Sequence, residues 1–398
     1  MAPRRRNPKG AWGLEAHTAS LVVEDAQHLL PPRSLSPLAK THARDPLGSY
    51  SDLLLSHVWA RIAMTPSQLI LLVRTGRMGD MAMFTSTLQA VIEACPGAEF
   101  HLVTSLEGDR VLRGYHPRLT RTLVYSRSLF RSFGARRAVR RLLGENRYDR
   151  ALVFESNPHY HELFADAANN VDVLRDPTAS HRVEHELEVL ERAGVWSGPA
   201  PWTSLAVTET GQAAARALLA RHGIDEETIV VGLHPTSGYL RRFRLRRDRL
   251  RHRAWPPGSF ADLARQLDRH ATERSLPLRM VIDVLPRERS YAEEIREKAG
   301  GLVTIIKAAP DFERYKAMLQ RMQLLVTIDT GPMHVAAAVR TPLVALFSDT
   351  DPAVIGPFMP ADRYVLVRAD DTADPSQGMA AIPASTAFEA CLRLLPSS

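Results

Sequence analysis

The stretch that most constrains the fold is residues 323–348, QLLVTIDTGPMHVAAAVRTPLVALFS. Leu324, Leu325, Val326 and Ile328 form a near-continuous apolar run, the pattern of a strand covered on both faces. Asp329 and Thr330 are natural helix N-caps, Gly331 allows close backbone approach, and Pro332 suits a first helical turn, where its missing N–H would be unbonded anyway. The Ala-rich segment from about His334 to Val339 predicts a short helix, which Thr341 and Pro342 end before a second apolar strand at 343–347. Such a unit turns backbone N–H groups and the positive end of a helix dipole out of the C-terminal edge of a parallel sheet, which is a site for an anion. An ordinary capped helix in an α/β domain has the same local sequence, so the rest of the chain must decide between the two.

Upstream the pattern repeats. LILLVRT after Gln68 reads as a buried strand, GRMG as a glycine-bounded loop, and Asp80 as the opening of a helix that stops at Pro96 and Gly97. Strands follow at 99–104, 121–125 and 150–154, with helical segments such as FGARRAVRRLL between them, and the helix HRVEHELEVLERAGV (181–195) closes this half. SGPAPWTS (197–204) is a proline-containing linker. The second half alternates again: a helix near 210–222, TIVVGLHP, a helix at 258–270, LRMVIDV, a helix at 291–298, LVTIIKA and a helix at 312–322, then the 323–348 unit.

Alternation of this kind predicts an α/β protein with two Rossmann-like, doubly wound parallel-sheet domains facing a central cleft. The expected organisation is an irregular N-terminal extension (1–66) with one helix near 50–62, a first domain at 67–200 and a second at 201–369. A tail (370–398) is expected to carry a helix that packs back toward the first domain. The length of 398 residues suits two domains of about 150 residues each with some chain left over. Cys95 and Cys391, the two cysteines, offer neither a metal cluster nor a disulfide framework. No apolar run approaches the roughly 18 residues of a membrane span, and Arg4 to Arg6 precede no signal-peptide core, so a cytoplasmic protein is expected. The net charge of +7 points to an anionic partner: a phosphorylated substrate, a membrane surface or nucleic acid.

Two loops should face each other across the cleft. In VRTGRMGD (73–80), Gly76 and Gly79 permit a tight turn around Arg77, but the loop lacks the GK[ST] of a Walker motif, and its glycines are misspaced for a dinucleotide fingerprint. Asp80 reads either as an N-cap or as a general base held at a sheet edge. In LHPTSG (233–238), Thr236 and Ser237 put hydroxyls where a strand ends. Eight arginines follow between Arg241 and Arg253; most read as a solvated basic loop, while Arg253, two residues before Trp255, is best placed to hold a phosphate bidentately. Glu288 follows a strand and reads as a ribose ligand or as a surface glutamate at a helix start. His334 reads as a loop-bracing or a catalytic histidine, and Asp349 and Asp351 in SDTDP fit a turn better than a metal site.

LILLVRTGRMGD, LHPTSG, a basic residue two before Trp-Pro, and DTGPMHVAAAVRTPLVALFSDTDP together resemble the bacterial ADP-heptose glycosyltransferases, the lipopolysaccharide heptosyltransferase family with a GT-B fold. The resemblance runs in order over roughly 68–365 and includes YDRALVFES and HRVEHELEVLERAGV. It implies Asp80 as catalytic base, with Gly76, Arg77 and Gly79 in the loop near the acceptor. It implies Thr236, Ser237 and Arg253 at donor phosphates, Asp329 at the donor sugar, Thr330, Gly331, Pro332, Met333 and His334 around the diphosphate, Glu288 at the ribose, and adenine near 305–307. Typical members lack the leader before Gln68 and the arginine-rich insertion. A branch that glycosylates autotransporter proteins carries a cysteine metal site, which two distant cysteines do not fit.

The function so implied is inverting, metal-independent transfer of a heptose from ADP-heptose, with no cofactor beyond this donor, to a phosphorylated or glycolipid acceptor of the lipopolysaccharide inner core. Peripheral contact with the inner face of the cytoplasmic membrane would accompany it, and no nucleic-acid partner is expected. Two other readings stay open: transfer to a soluble natural-product or capsule acceptor, and a non-catalytic binder of anionic glycan or nucleic acid. No nucleic-acid-binding motif supports the last.

Overall fold

The computed structural model describes residues 68–125, 129–175, 178–179, 181–235, 252–307 and 309–396. The expected N-terminal extension with its helix, and Thr236 and Ser237, lie outside these residues.

The first lobe contains β1 (Leu69–Arg74), α1 (Met78–Ala94), β2 (Glu99–Thr104), α2 (Leu106–Leu112), β3 (Leu119–Val124), α3 (Leu129–Glu145), β4 (Tyr148–Val153), α4 (Pro158–Phe164), β5 (Ala168–Val173) and α5 (Arg182–Arg192). The second contains α6 (Glu209–Ala220), β6 (Ile229–His234), α7 (Pro257–Glu273), β7 (Leu278–Asp283), α8 (Arg289–Lys298), β8 (Val303–Ile306), α9 (Phe312–Arg321), β9 (Leu324–Ile328), α10 (Gly331–Ala338), β10 (Leu343–Phe347), α11 (Pro352–Ile355), β11 (Tyr364–Arg368) and α12 (Ala384–Leu392). The first sheet has the order β3-β2-β1-β4-β5 and the second β11-β10-β9-β6-β7-β8, with parallel pairing throughout. β1 and β9, the strands with the strongest apolar runs, sit inside their sheets, where helices cover both faces.

β5 (ANNVDV) and β11 (YVLVR) are edge strands, and β5 has no apolar run that predicts it from sequence. Another difference concerns the tail. α12 packs on α7, β10 and β11, and Ala387, Ala390 and Cys391 join the core of the second lobe. The expected return toward the first domain is therefore corrected: Trp255 anchors the tail locally by donating Nε1–H to Ile382 O at 3.0 Å. Burial of α12's apolar face against its own sheet satisfies it without the other lobe.

The lobes meet through helices. α1 packs along α10, and one apolar cluster runs through both, joining Met81, Phe84 and Leu88 to Met333, Val335 and Val339. Each large side chain buried in this way contributes about 1.5–3 kcal/mol relative to exposure. The linker stitches the seam: Ser86 Oγ donates to Pro201 O at 2.5 Å, Ser204 N to Thr85 Oγ1 at 3.0 Å, Thr203 Oγ1 to Phe358 O at 2.8 Å, and Leu205 N to Ala338 O at 2.9 Å. Among the described residues no helix is long and apolar enough to cross a membrane.

Candidate active site

α1 and α10 each begin just after an interior strand, so their close packing brings the C-terminal ends of β1 and β9 together. A Cβ on Gly331 would lie 3.3 Å from Gly79 N, which leaves no room for larger residues at the crossing. Asp80 therefore stands beside the loop that opens α10.

Asp80 occupies the third helical position of α1 rather than the cap, since the helix begins at Met78. Its Oδ2 accepts the Arg77 N–H at 2.9 Å, closing the turn. A Cβ on Gly76 would sit 2.3 Å from the Asp80 Cβ, so the glycine makes space for the carboxylate. The same loop is braced from β2, where Ser105 Oγ donates to Gly76 O at 2.6 Å. The side chain of Asp80 keeps 31% exposure, enough for one oxygen to meet an incoming hydroxyl.

Behind Asp80 lies a charge cluster. Arg74, buried at the end of β1, places Nη2 3.9 Å from Asp80 Oδ1, Nη1 3.2 Å from Glu155 Oε1 and Nε 2.8 Å from Glu186 Oε1. Glu155 also accepts from Thr75 N at 2.6 Å and Thr75 Oγ1 at 2.9 Å, and the Thr75 and Tyr160 hydroxyls share a hydrogen bond. Burial works against the Arg74 charge, but Glu186, Glu155 and Asp80 hold its pKa above the ordinary guanidinium value. Burial pushes the Glu186 carboxyl up to about 7, against the pull of Arg74.

On the other side, Asp329 accepts hydrogen bonds at Oδ2 from Arg253 Nη2 at 3.3 Å and from Thr350 Oγ1 at 2.7 Å. Arg253 and Asp329, distant in sequence, thus form one polar unit. Thr330 takes the cap position of α10 in extended conformation without a side-chain cap bond; its hydroxyl donates to Ile328 O at 3.2 Å. The helix dipole accordingly faces the seam without a side-chain cap. Pro332 lies in the first turn, and Met333 is buried. His334 is buried too, its Nδ1 lacking a hydrogen-bond partner. Burial pushes the ring down to about 4 despite Asp329 and Asp80, so it is neutral near pH 7.

Glu288 lies beyond β7, two strands along the sheet from β9, and its carboxylate accepts the Leu285 N–H at 3.1 Å, as a helix-start glutamate does. Lys307, past β8, pairs with Glu293 at 2.6 Å. Asp351 caps α11 by accepting from Ala353 N at 2.9 Å, in keeping with a turn. No group of three or more His, Cys, Asp or Glu side chains among the described residues is placed to hold a metal ion.

Sequence reading passes over Arg74, Glu155, Glu186 and Thr350. One signal for them exists: Glu186 lies on the stripe Val183, Leu187, Leu190 of α5, a carboxylate on the face the helix buries.

The chain is 24% identical over 306 residues to lipopolysaccharide heptosyltransferase 1 of Escherichia coli K12, covering 72% of this chain and 90% of the relative. It is 26% identical over 316 residues to the enzyme of the same name from Pseudomonas aeruginosa, covering 73% and 81%. The solved glycosyltransferase family 9 protein of Veillonella parvula superposes with a TM-score of 0.70 at 18% identity, covering 82% of this chain and 97% of that one. Escherichia coli heptosyltransferase WaaC with ADP superposes at 0.60 and 20% identity, covering 81% and 98%. These likenesses show the two-lobed GT-B fold. Residues 165–381, more than half of the chain, match glycosyltransferase family 9 (heptosyltransferase), and the chain belongs to that family of glycosyltransferases.

Proposed function

We propose that the protein is an inverting heptosyltransferase that moves a heptose from ADP-heptose to an acceptor hydroxyl of the lipopolysaccharide inner core. One observation carries this reading: the Asp80 turn of α1 and the uncapped start of α10 abut at Gly79 and Gly331, so that a base and an anion site share one seam. The names of the relatives support the sugar and the acceptor, and the ADP bound to WaaC supports the nucleotide.

In the proposed step, Asp80 takes the proton of the acceptor hydroxyl as its oxygen bonds to the anomeric carbon. The bond from that carbon to the diphosphate breaks, and its electron pair leaves with ADP. Attack opposite the leaving group inverts the centre. The growing diphosphate charge meets the α10 N-terminus and Arg253, with Thr236 and Ser237 assigned to the same phosphates. Asp329 is assigned to the donor sugar, Glu288 to the ribose, and His334, neutral, to the loop around the diphosphate. The reading gives this charge stabilisation to protein groups rather than to a metal, and it places the enzyme in the cytoplasm at the inner membrane face, where its acceptor is presented.

The test is ADP release from ADP-heptose with a Kdo-bearing lipid, with and without chelator. Asp80→Asn should lower kcat by about 10²- to 10⁴-fold while ADP still binds, and chelator should change nothing. Near-normal turnover by Asp80→Asn would remove Asp80 as the base.

A further inference from the structure

We propose that Arg74 is a positioning residue for the transfer: shared among Glu155, Glu186 and Asp80, its guanidinium fixes the direction of the Asp80 carboxylate. The inference rests on the reading of Asp80 as base and adds to it the device that aims that base.

The geometry assigns a separate task to each nitrogen of Arg74. Nε, 2.8 Å from Glu186, and Nη1, 3.2 Å from Glu155, anchor the group from α5 and from the end of β4, and Nη2 remains for Asp80 at 3.9 Å. Asp80 is thus held at one oxygen by the Arg77 N–H and faced at the other by Arg74. Glu186 is fully buried and fixed by Thr87 Oγ1 at 3.3 Å, so Arg74 cannot follow Asp80 outward. A planar fork spreads its donors over three nitrogens in a fixed plane, one for each carboxylate here, whereas the donors of an ammonium all leave a single atom.

The full-length chain is tested with ADP-heptose and a Kdo-bearing lipid, reading kcat and the acceptor KM separately, with ADP binding followed by calorimetry. Arg74→Lys should lower kcat about ten-fold while ADP affinity and the acceptor KM stay near wild type. Glu186→Gln, which keeps the shape but loosens one anchor of the guanidinium, should lower kcat about two- to three-fold with ADP affinity unchanged. If Glu186→Gln does not fold, Glu155→Gln takes its place with the same expected direction. Unchanged kcat in Arg74→Lys, or a loss carried by ADP binding instead of kcat, overturns the inference and leaves Asp80 as base. Active Asp80→Asn overturns the base assignment itself.

Discussion

Gly79 of α1 and Gly331 of α10 touch backbone to backbone: a Cβ on Gly79 would stand 3.1 Å from the Gly331 Cα and 2.8 Å from His334 Cδ2. The two lobes are held at a fixed distance by the absence of two side chains. Alanine at 79 would gain at most about 1 kcal/mol of helix propensity, while overpacking against backbone costs about 1–3 kcal/mol. Gly79→Ala is therefore expected to lower the urea midpoint and, by parting the helices, to lower kcat. Gly144→Ala at the end of α3, where a Cβ meets nothing within 4 Å, is the control and should not be destabilised. Equal midpoints for the two variants would show that the seam is slack.

The Arg253–Asp329 pair makes a prediction about the donor. Arg253 reaches Asp329 at 3.3 Å with 28% of its own side chain exposed, so it has surface left for a phosphate. Charge-assisted hydrogen bonds contribute about 1.5–3 kcal/mol, and loss of this one corresponds to about ten- to hundred-fold weaker ADP binding. Calorimetric titration of Arg253→Ala with ADP checks this. Wild-type affinity in the variant would take Arg253 out of the donor site.

Docking of the tail can be read from its thiol. Cys391 on α12 is fully buried, and burial pushes its pKa far up, whereas Cys95 at the end of α1 is half-buried. A maleimide should modify Cys95 of the native protein well before Cys391, and both equally in denaturant. Rapid native labelling of Cys391 would mean that α12 does not stay on its sheet.

Much of this architecture is legible in the chain because its interior strands are continuous apolar runs and its loops carry glycine and proline at their turns. β1, β9 and β10, and the helices that follow the first two, lie within a few residues of where periodicity puts them. Other features depend on what folding brings together. Arg74 lies 81 residues from Glu155 and 112 from Glu186, and no spacing rule links them. The start of α1 is displaced by two residues because Asp80 bonds back to Arg77 N–H from inside the helix, a geometry that sequence cannot distinguish from a cap. α12 stays with the second lobe because the apolar surface nearest to it belongs to α7.

The two buried titrating groups at the seam oppose each other in their effect on stability. His334 falls from 6.5 unfolded to about 4 folded, so between these values the unfolded chain binds a proton that the folded one rejects, and stability rises with pH. Glu186 rises from 4.5 to about 7, so across that window the folded chain keeps a proton that the unfolded one has released, and stability falls as pH rises. Each slope reaches about 1.4 kcal/mol per pH unit, and the two largely cancel where they overlap. Removing one should expose the other. Relative to wild type, Glu186→Gln should gain stability as pH rises through this window, and His334→Gln should gain it as pH falls below 6.5. Urea unfolding at several pH values between 4.5 and 7 measures both differences. Curves that run parallel to wild type would mean that neither group changes its proton affinity on folding, and that the seam is wetter than its burial implies.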